Sequence, residues 1–543
     1  MTFVANTFRG LGLEVSIQQF SYGDYNDKSV GYNVHGIFRA SRGEGTEAIV
    51  LAVPYILSDD LQNENGLYYA LSMASFVRKY SFWAKDIIFL VSSHKTHGLH
   101  AWLNAYHGVD PQFSVIQYEP LQSHAGSLIS AINLEFPGTQ PYNAVGLYTI
   151  GINGLLPNTD LVTTVIRSIQ YEGIPLQLYD GKFEGYQDSD WGKYKTSALL
   201  LWEFIKEQSL GLPDASHSLF PKYKVEGLTI RGLRHPNRQA SVDVVNVARA
   251  VETALRSLNN LLEILHHAFW FYFMPSVDTF IPISVYLAPI AMIAASATLH
   301  SLALWWKSVE EKKNIESSAK QLSGTEGKAK ATLLKREPQI ASFATKTRPL
   351  FLPAITLASC LAAGGWFLNS LETLLFIASR DQSSTLFVGG FVFGMQSLFC
   401  IALVPFLHRL TQDSGSETKT TVSASKIVKV GCCGLLGVSL VVLTATNPSL
   451  AILVAIPSVP VFLLIRPCGS LMNVLQMFIL NILSPPGIVF VYCLATQNTH
   501  GAMAMLVNAM EGWKLFGSQI IPLVCLVLWP LNLAGQVLVG MEE

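Results

Sequence analysis

Near Phe280 this chain changes solvent. Residues 1 to about 275 have the make-up of a water-soluble α/β domain, and the remainder is a series of long apolar segments joined by short loops. The whole-chain average, 50% hydrophobic and 14% charged, blends two compositions that must be read apart. A membrane-spanning helix needs about 20 mostly apolar residues. Seven segments are read as such: Phe280–Trp306, Leu350–Asn369, Thr385–Leu407, Ile427–Ala445, Leu450–Ile465, Met472–Ala495 and Phe516–Val537. Only Asn447-Pro448 separates the fourth from the fifth, so a re-entrant hairpin stays open there beside two full spans.

The loops carry the orientation signal. Lys307, Lys312, Lys313, Lys320, Lys328, Lys330, Lys335, Arg336, Lys346 and Arg348 follow the first segment, and His408, Arg409, Lys419, Lys426 and Lys429 follow the third. The loop at 370–384 holds only Arg380, and that at 496–515 only Lys514. Basic loops stay cytosolic, so the alternation places the α/β domain on the luminal or extracellular side and Met541-Glu542-Glu543 in the cytosol. Met1–Gly12 is too short and polar for a signal peptide or anchor. The expectation is therefore a sequence short of an N-terminal membrane segment, through an alternative start or a truncated gene model.

All seven cysteines, from Cys360 to Cys525, lie in the apolar half. The α/β domain is large enough to bury a core without disulfides. Cys432-Cys433 read as buried small side chains, with palmitoylation the alternative. No N-x-Ser/Thr acceptor occurs in the first 275 residues.

Strand and helix signals alternate along that first part. Leu13–Phe20 and Asn33–Arg39 read as an opening pair of strands. Ala48–Tyr55 and Asp86–Ser93 are continuous apolar runs, as parallel strands buried on both faces require. Ser130–Phe136, Ala144–Gly151 and Val225–Arg231 supply further strands. Gly66–Tyr80, Asp160–Tyr171 and Tyr194–Gln208 carry apolar residues at helical spacing. The alternation predicts a doubly wound α/β sheet over 1–242. A helical connector is expected over 243–279, descending to the aromatic run Phe269-Trp270-Phe271-Tyr272-Phe273, with the membrane domain over 280–543.

Chemistry-bearing motifs are few. His94, His97 and His100 form an H-x-x-H-x-x-H run, but no acidic partner follows the H-E-x-x-H pattern; a solvated loop or helix start is the plainer reading. His266-His267 point to diverging faces near the interface, and Asp59-Asp60 suit a helix cap. No G-x-S-x-G elbow, P-loop or dinucleotide fingerprint is present. A net charge of −1 gives no reason to invoke nucleic acid. Within the spans the exceptions are polar residues (Asn369, Glu372, Asn473, Gln476, Asn481) and prolines. Ser484-Pro485-Pro486-Gly487 must break the sixth span, Pro457 and Pro460 disturb the fifth, and Pro522 and Pro530 lie in the last. Each proline frees a carbonyl that must meet a neighbour, water or a lipid headgroup, which makes Asn481 and Pro485 candidate lipid contacts; a kink that serves only helix packing is the alternative for these prolines.

The strings GLEVSIQQF (12–20), NVHGIFRA (33–40), FWAKDIIFLV (82–91), AWLNAYHGV (101–109), LPNTDL (156–161), GLTIRG (227–232) and EGWKLF (511–516) resemble the glycosylphosphatidylinositol (GPI) anchor attachment 1 family, polytopic subunits of GPI transamidase in the endoplasmic reticulum. The resemblance implies a luminal domain similar to M28-type zinc aminopeptidases. It also implies a family pattern of eight spans, one more than the segments read above, and a role for Pro522 and Pro530 in recognising the GPI lipid. Against the M28 ligand pattern this chain departs: the first strand ends in Val53-Pro54-Tyr55 without the histidine, the ligand aspartate becomes Gln62, and the Glu-Glu pair falls near Lys95-Thr96. Only Glu135 and His217, in Asp214-Ala215-Ser216-His217, still match, as vestigial metal candidates. No catalytic residue, resident metal or cofactor is expected. The implied partners are the other transamidase subunits, including the one bearing the catalytic cysteine, together with the GPI lipid and the proprotein C-terminal signal. An active membrane-tethered M28-type metallopeptidase of the endoplasmic reticulum is the alternative function. A transporter would call for ion pairs or inverted repeats within the spans, and neither is read.

Overall fold

Unbroken apolar runs, too short for helices, build the centre of a nine-stranded mixed sheet. In chain order the strands are β1 (Glu14–Tyr22), β2 (Ser29–Phe38), β3 (Glu47–Ile56), β4 (Asp86–His94), β5 (Gln117–Tyr118), β6 (Ser127–Glu135), β7 (Ala144–Tyr148), β8 (Leu176–Leu178) and β9 (Glu226–Leu233). Their order across the sheet is β5-β1-β2-β4-β3-β6-β9-β7-β8. β3 runs parallel to β4 and to β6, and β6 parallel to β9. β2 joins β4 antiparallel, as β7 joins β9. Residues 48–53 and 87–91 are buried without alternation, because layers cover both faces of the central strands.

The computed structural model describes residues 1–22, 29–57, 61–110, 116–138, 141–180, 189–213, 215–234, 241–261, 270–325, 339–378, 382–412, 424–496 and 499–541. The chain divides into two compact units, Met1–Tyr286 with Glu511–Ser518, and Leu287–Met510 with Gln519–Glu543.

In the first unit, α1 (Thr2–Gly10) buries Val4, Ala5 and Phe8, and the Phe8 ring lies 6.1 Å from that of Phe89. The sequence reading misses this helix, as it misses the short strands β5 and β8. The helices α2 (Glu64–Arg78), α3 (Thr96–Tyr106), α4 (Thr159–Tyr171) and α5 (Asp190–Leu210) follow the strands they cover. α6 (Val244–Asn259) buries Val247, Ala250, Val251, Ala254, Leu255 and Leu258.

The connector departs from expectation. Its helix stops at Asn259, and the aromatic run enters a hairpin of β10 (Tyr272–Ser276) and β11 (Thr279–Pro282). The apolar stripe of α6 ends at Leu258, while aromatic and β-branched side chains favour a pleated pair; the rings of Tyr272 and Phe280 meet at 5.4 Å. Trp270 and Phe271 are exposed and Tyr272 and Phe273 buried, so this run is no uniform interfacial belt. Phe269, His266-His267, Asp59-Asp60 and Asp214 lie outside the described residues.

The second unit contains α7 (Ile283–Thr325, from Leu287), α8 (Gln339–Ala378), α9 (Gln382–Gln412), α10 (Ala424–Thr446), α11 (Pro448–Leu464), α12 (Ser470–Ile482), α13 (Pro485–Thr496) and α14 (Thr499–Glu511, to Met510). It ends in α15 (Ile520–Leu523) and α16 (Trp529–Gly540), joined by a π-helical turn over Val524–Leu528. Among the described residues, five helical stretches are long and apolar enough to cross a membrane: Ile283–Glu311, Ala354–Ala378, Ser384–Pro405, Ser425–Thr446 and Ile520–Gly540. Of the other two expected spans, Met472–Ala495 is the pair α12–α13, bent by 80°, and Leu450–Ile465 is the shorter helix α11. The last span starts at Ile520, since Phe516 belongs to the globular unit. Cys360, Cys400, Cys432 and Cys433 are buried in the core of the membrane unit with Phe462, Trp529 and Val537.

Gly98 is where α3 meets the sheet. A Cβ there would sit 1.9 Å from Ser92 Oγ and 2.8 Å from Asn33 Oδ1. Gly98→Ala is expected to destabilise the globular unit by about 1–3 kcal/mol. Thermal melting of the full chain in detergent, followed by near-UV circular dichroism, checks this; an unshifted midpoint would mean that α3 has room to lift.

Candidate functional site

Glu135 and His217, the two residues expected as metal candidates, are brought together beside a buried ion pair. Glu135 ends β6 and is fully buried. Its Oε2 accepts from Arg231 Nε at 2.9 Å and Nη2 at 2.6 Å. Its Oε1 accepts from Asn133 Nδ2 at 3.0 Å and the Ser216 N–H at 3.3 Å. Arg231 reaches it because β9 lies beside β6 with Glu135 opposite Arg231. The guanidinium lies 4.1 Å from the centre of the Tyr148 ring. Burial pushes the Glu135 carboxyl upward, but Lys95 and Arg231 outweigh it and hold the group below the ordinary carboxylate range.

His217, on the 3-10 helix Ser216–Tyr223, is also buried. Its Nδ1 pairs with Thr229 Oγ1 at 2.7 Å, and burial lowers its pKa to about 4. At the position of the lost aspartate the neighbouring side chain does structural work instead. Asn63 Nδ2 donates to the carbonyls of Pro54 (2.8 Å) and Leu134 (2.7 Å), and its Oδ1 accepts from the Phe136 N–H at 2.8 Å. These residues do not fit a dinuclear metal. Such a centre needs several free ligands, whereas here a guanidinium holds the carboxylate and glutamine, lysine and threonine stand at the positions expected for the others. Among the described residues, no three His, Cys, Asp or Glu side chains gather as a metal set.

The histidine run straddles a strand and a helix: His94 ends β4, whereas His97 and His100 lie on α3 and are not solvated. His100 is 4% exposed and His97 is partly buried. Burial lowers their pKa values to about 3 and about 4. Their rings meet aromatic ones: His97 stacks on Tyr22 at 4.6 Å, and both face Phe516, at 5.6 and 5.5 Å.

In the membrane unit the proline-freed backbone is reclaimed by side chains. Pro485 supplies no N–H for the Asn481 carbonyl four residues earlier. That carbonyl instead accepts from Ser484 Oγ (2.6 Å), the Ser484 N–H (3.3 Å) and Gln396 Nε2 (3.4 Å). Gln396 Nε2 also donates to Ser484 Oγ at 2.9 Å, and Gln396 Oε1 accepts from Trp529 Nε1 at 3.0 Å. Asn481 Nδ2 donates to Ser397 Oγ, and Asn532 Nδ2 to the Leu480 carbonyl at 3.1 Å. Asn481, Pro485 and the Trp529-Pro530 pair are thus gathered on Gln396, which sequence reading missed; a glutamine inside an apolar segment was the available signal. Pro522 stands apart, eight residues or about 12 Å along the helix from Pro530. It lies in the first turn of α15 and is partly exposed.

A mixed α/β unit continued by several long apolar helices defines a polytopic membrane protein with a large globular domain. The chain belongs to the Gaa1-like, GPI transamidase component family, whose profile matches residues 30–536. It is 33% identical over 302 residues to GPI transamidase component gaa1 of Schizosaccharomyces pombe, covering 55% of this chain and 50% of that one. To GPI transamidase component GAA1 of Saccharomyces cerevisiae it is 30% identical over 282 residues, covering 51% and 43%. It thus spans about half the length of these relatives. Similar solved structures include a glutaminyl cyclase of Porphyromonas gingivalis (10% identity, TM-score 0.31, covering 47% of this chain and 88% of that one). A zinc aminopeptidase of Bacillus subtilis is another (11%, 0.25, 43% and 51%).

Two outcomes follow from the globular centre. Arg231→Met leaves a buried carboxylate without its guanidinium and is expected to destabilise this unit by about 3 kcal/mol. Adding Glu135→Leu should restore about half of the loss or more, as urea unfolding would report; a double variant no better than the single would show the pair is not the reason. His35, His97, His100 and His217 have folded-state pKa values of about 4, 4, 3 and 4, against about 6.5 unfolded. The unfolded chain therefore binds these protons first. Their stabilisation is complete above about pH 6.5 and is lost as pH falls through about 4, which a pH series of melting midpoints checks.

Proposed function

We propose that this chain acts in GPI-anchor attachment as a non-catalytic subunit of GPI transamidase in the endoplasmic reticulum membrane. Its part is to present the GPI lipid, and to hold the proprotein end, for a cysteine-protease subunit in another chain. The family match, running from the sheet to the last helix, carries this reading. It is supported by the ion pair at the former ligand positions and by a globular unit whose sequence has no cysteine to act as nucleophile. The same ion pair counts against the metallopeptidase alternative. The lipid contacts we assign are Pro485, Asn481 and Pro530, with Pro522 at the start of the same span; in them the hydrocarbon depth meets a polar, proline-interrupted backbone.

We infer a luminal globular unit. Glu511–Ser518 returns to that unit after the chain has left it at Leu287, so the crossings between must be even in number. With α7, α8, α9 and α10 crossing, α11 and the bent pair both cross or neither does. Parity therefore allows five or seven spans in all and disallows six. Seven agrees with the loop charges, which place 307–348 and 408–429 in the cytosol.

Two measurements test this. In cells lacking the endogenous subunit, this chain, or a version extended at its N-terminus, should restore surface display of a GPI-anchored reporter and removal of its C-terminal signal. Failure of both would sink the assignment. Glycosylation acceptors inserted at 379–381 and 497–498 should be glycosylated and one at 413–423 should not; the reverse pattern would invert the topology.

A further inference from the structure

We propose that Phe516 is a positioning residue for the last membrane helix, an inference that rests on the lipid-recognition role proposed above for that helix. Residues Glu511–Ser518 group with the globular unit, whereas Met510 before them and Gln519 after them do not. The segment is shaped to hold one side chain. A π-helical turn covers Gly512–Phe516, Gly517 takes the left-handed conformation (φ +80°), and the Ser518 N–H closes back on the Gly512 carbonyl at 2.8 Å. Only glycine adopts that φ without strain, so the loop has a built end.

Phe516 is 3% exposed and lies in the core with Leu99, Trp102, Leu219 and Phe220. Its ring meets those of His97 and His100 edge-on, a favoured aromatic geometry. Lys222 Nζ donates to the Phe516 carbonyl at 3.3 Å and Asn153 Nδ2 to that of Gly517 at 3.4 Å. The two imidazoles, with pKa values held down to about 4 and 3 by burial, stay neutral at physiological pH, so the socket remains apolar.

A plain connector between apolar helices has no use for a fully buried aromatic and two carbonyl clamps. What these do is fix Ser518. Ile520 opens the helix two residues later, and two residues span at most about 7 Å. The helix that carries Pro522 and Pro530 therefore starts two residues beyond a chain segment that the Phe516 socket holds.

The test uses the full chain, assembled with its partner subunits, in microsomes from cells deleted for their own copy. Two products of one reporter are measured: the conjugate with endogenous GPI, and the hydroxamate formed when hydroxylamine, which needs no lipid recognition, is supplied as the amine. For Phe516→Ala the GPI conjugate should fall about tenfold through misplacement of the lipid. The hydroxamate should stay within about twofold, and Phe516→Leu should recover most of the conjugate. Gly517→Ala, which strains the turn and leaves the ring in place, should shift the same ratio in the same direction. An equal fall of both products in these variants, or an unchanged conjugate, would overturn the inference. Pro530→Ala is run beside them. If it too leaves the conjugate unchanged, the lipid-recognition reading has failed; if it alone lowers the conjugate, that reading stands and the positioning role falls.

Discussion

The carbonyl of Asn481 is the group on which the arrangement of the membrane unit turns. An unpaired peptide oxygen in hydrocarbon costs several kcal/mol, and Pro485 has removed its ordinary partner. The chain answers with Ser484 Oγ from the same turn and Gln396 Nε2 from α9. Gln396 is then held on its other side by the indole of Trp529. One proline thereby recruits three helices: α12, which is broken; α9, which supplies the amide; and α16, which supplies the donor. The 80° bend is supported by side chains rather than left open. Within this network the Asn481 Oδ1 is the buried acceptor left without a hydrogen-bond partner.

The globular unit solves a comparable problem with charge. A carboxylate as deep as Glu135 survives only with a cation at hand, and β9 delivers Arg231 to it in register across the sheet. Asn63 supplies the neutral counterpart, bridging two strands' carbonyls and one N–H at the start of α2. The carboxylate is thus closed by Arg231, while the nearby His217 Nε2 is buried without a hydrogen-bond partner.

Much of this was legible in the sequence. Continuous apolar runs gave β3 and β4, and helical spacing gave α2, α4 and α5. What escaped depended on distance in the chain. The guanidinium of Arg231 is 96 residues from Glu135, and nothing local in GLTIRG marks it as a partner. The aromatic run at 269–273 carries the composition of an interfacial belt, yet tertiary packing turns Tyr272 and Phe273 inward on a hairpin. The histidine run reads as solvated only while Phe516, some 400 residues on, is out of view.

Pro522 and Pro530 show why the same residue type in one span must not be read alike. In the first turn of a helix the N–H has no intrahelical acceptor, so Pro522 removes nothing and pre-sets φ. Pro530 lies ten residues inside the span, where it would leave the Leu526 carbonyl without its donor and crowd the preceding turn. Just ahead of Pro530, Val524–Leu528 widens into a π turn with the Trp529 N–H on the Val524 carbonyl, a distortion that recurs at functional positions. Close packing adds to the constraint: a Cβ on Gly364 of α8 would lie 2.2 Å from the Cys525 carbonyl and 2.8 Å from Pro530, so only a glycine admits the widened turn there. The strain of the last span is therefore local to Pro530, next to the Trp529–Gln396 bond. Of the two prolines, Pro530 is the one whose replacement by alanine would change the backbone of the last span.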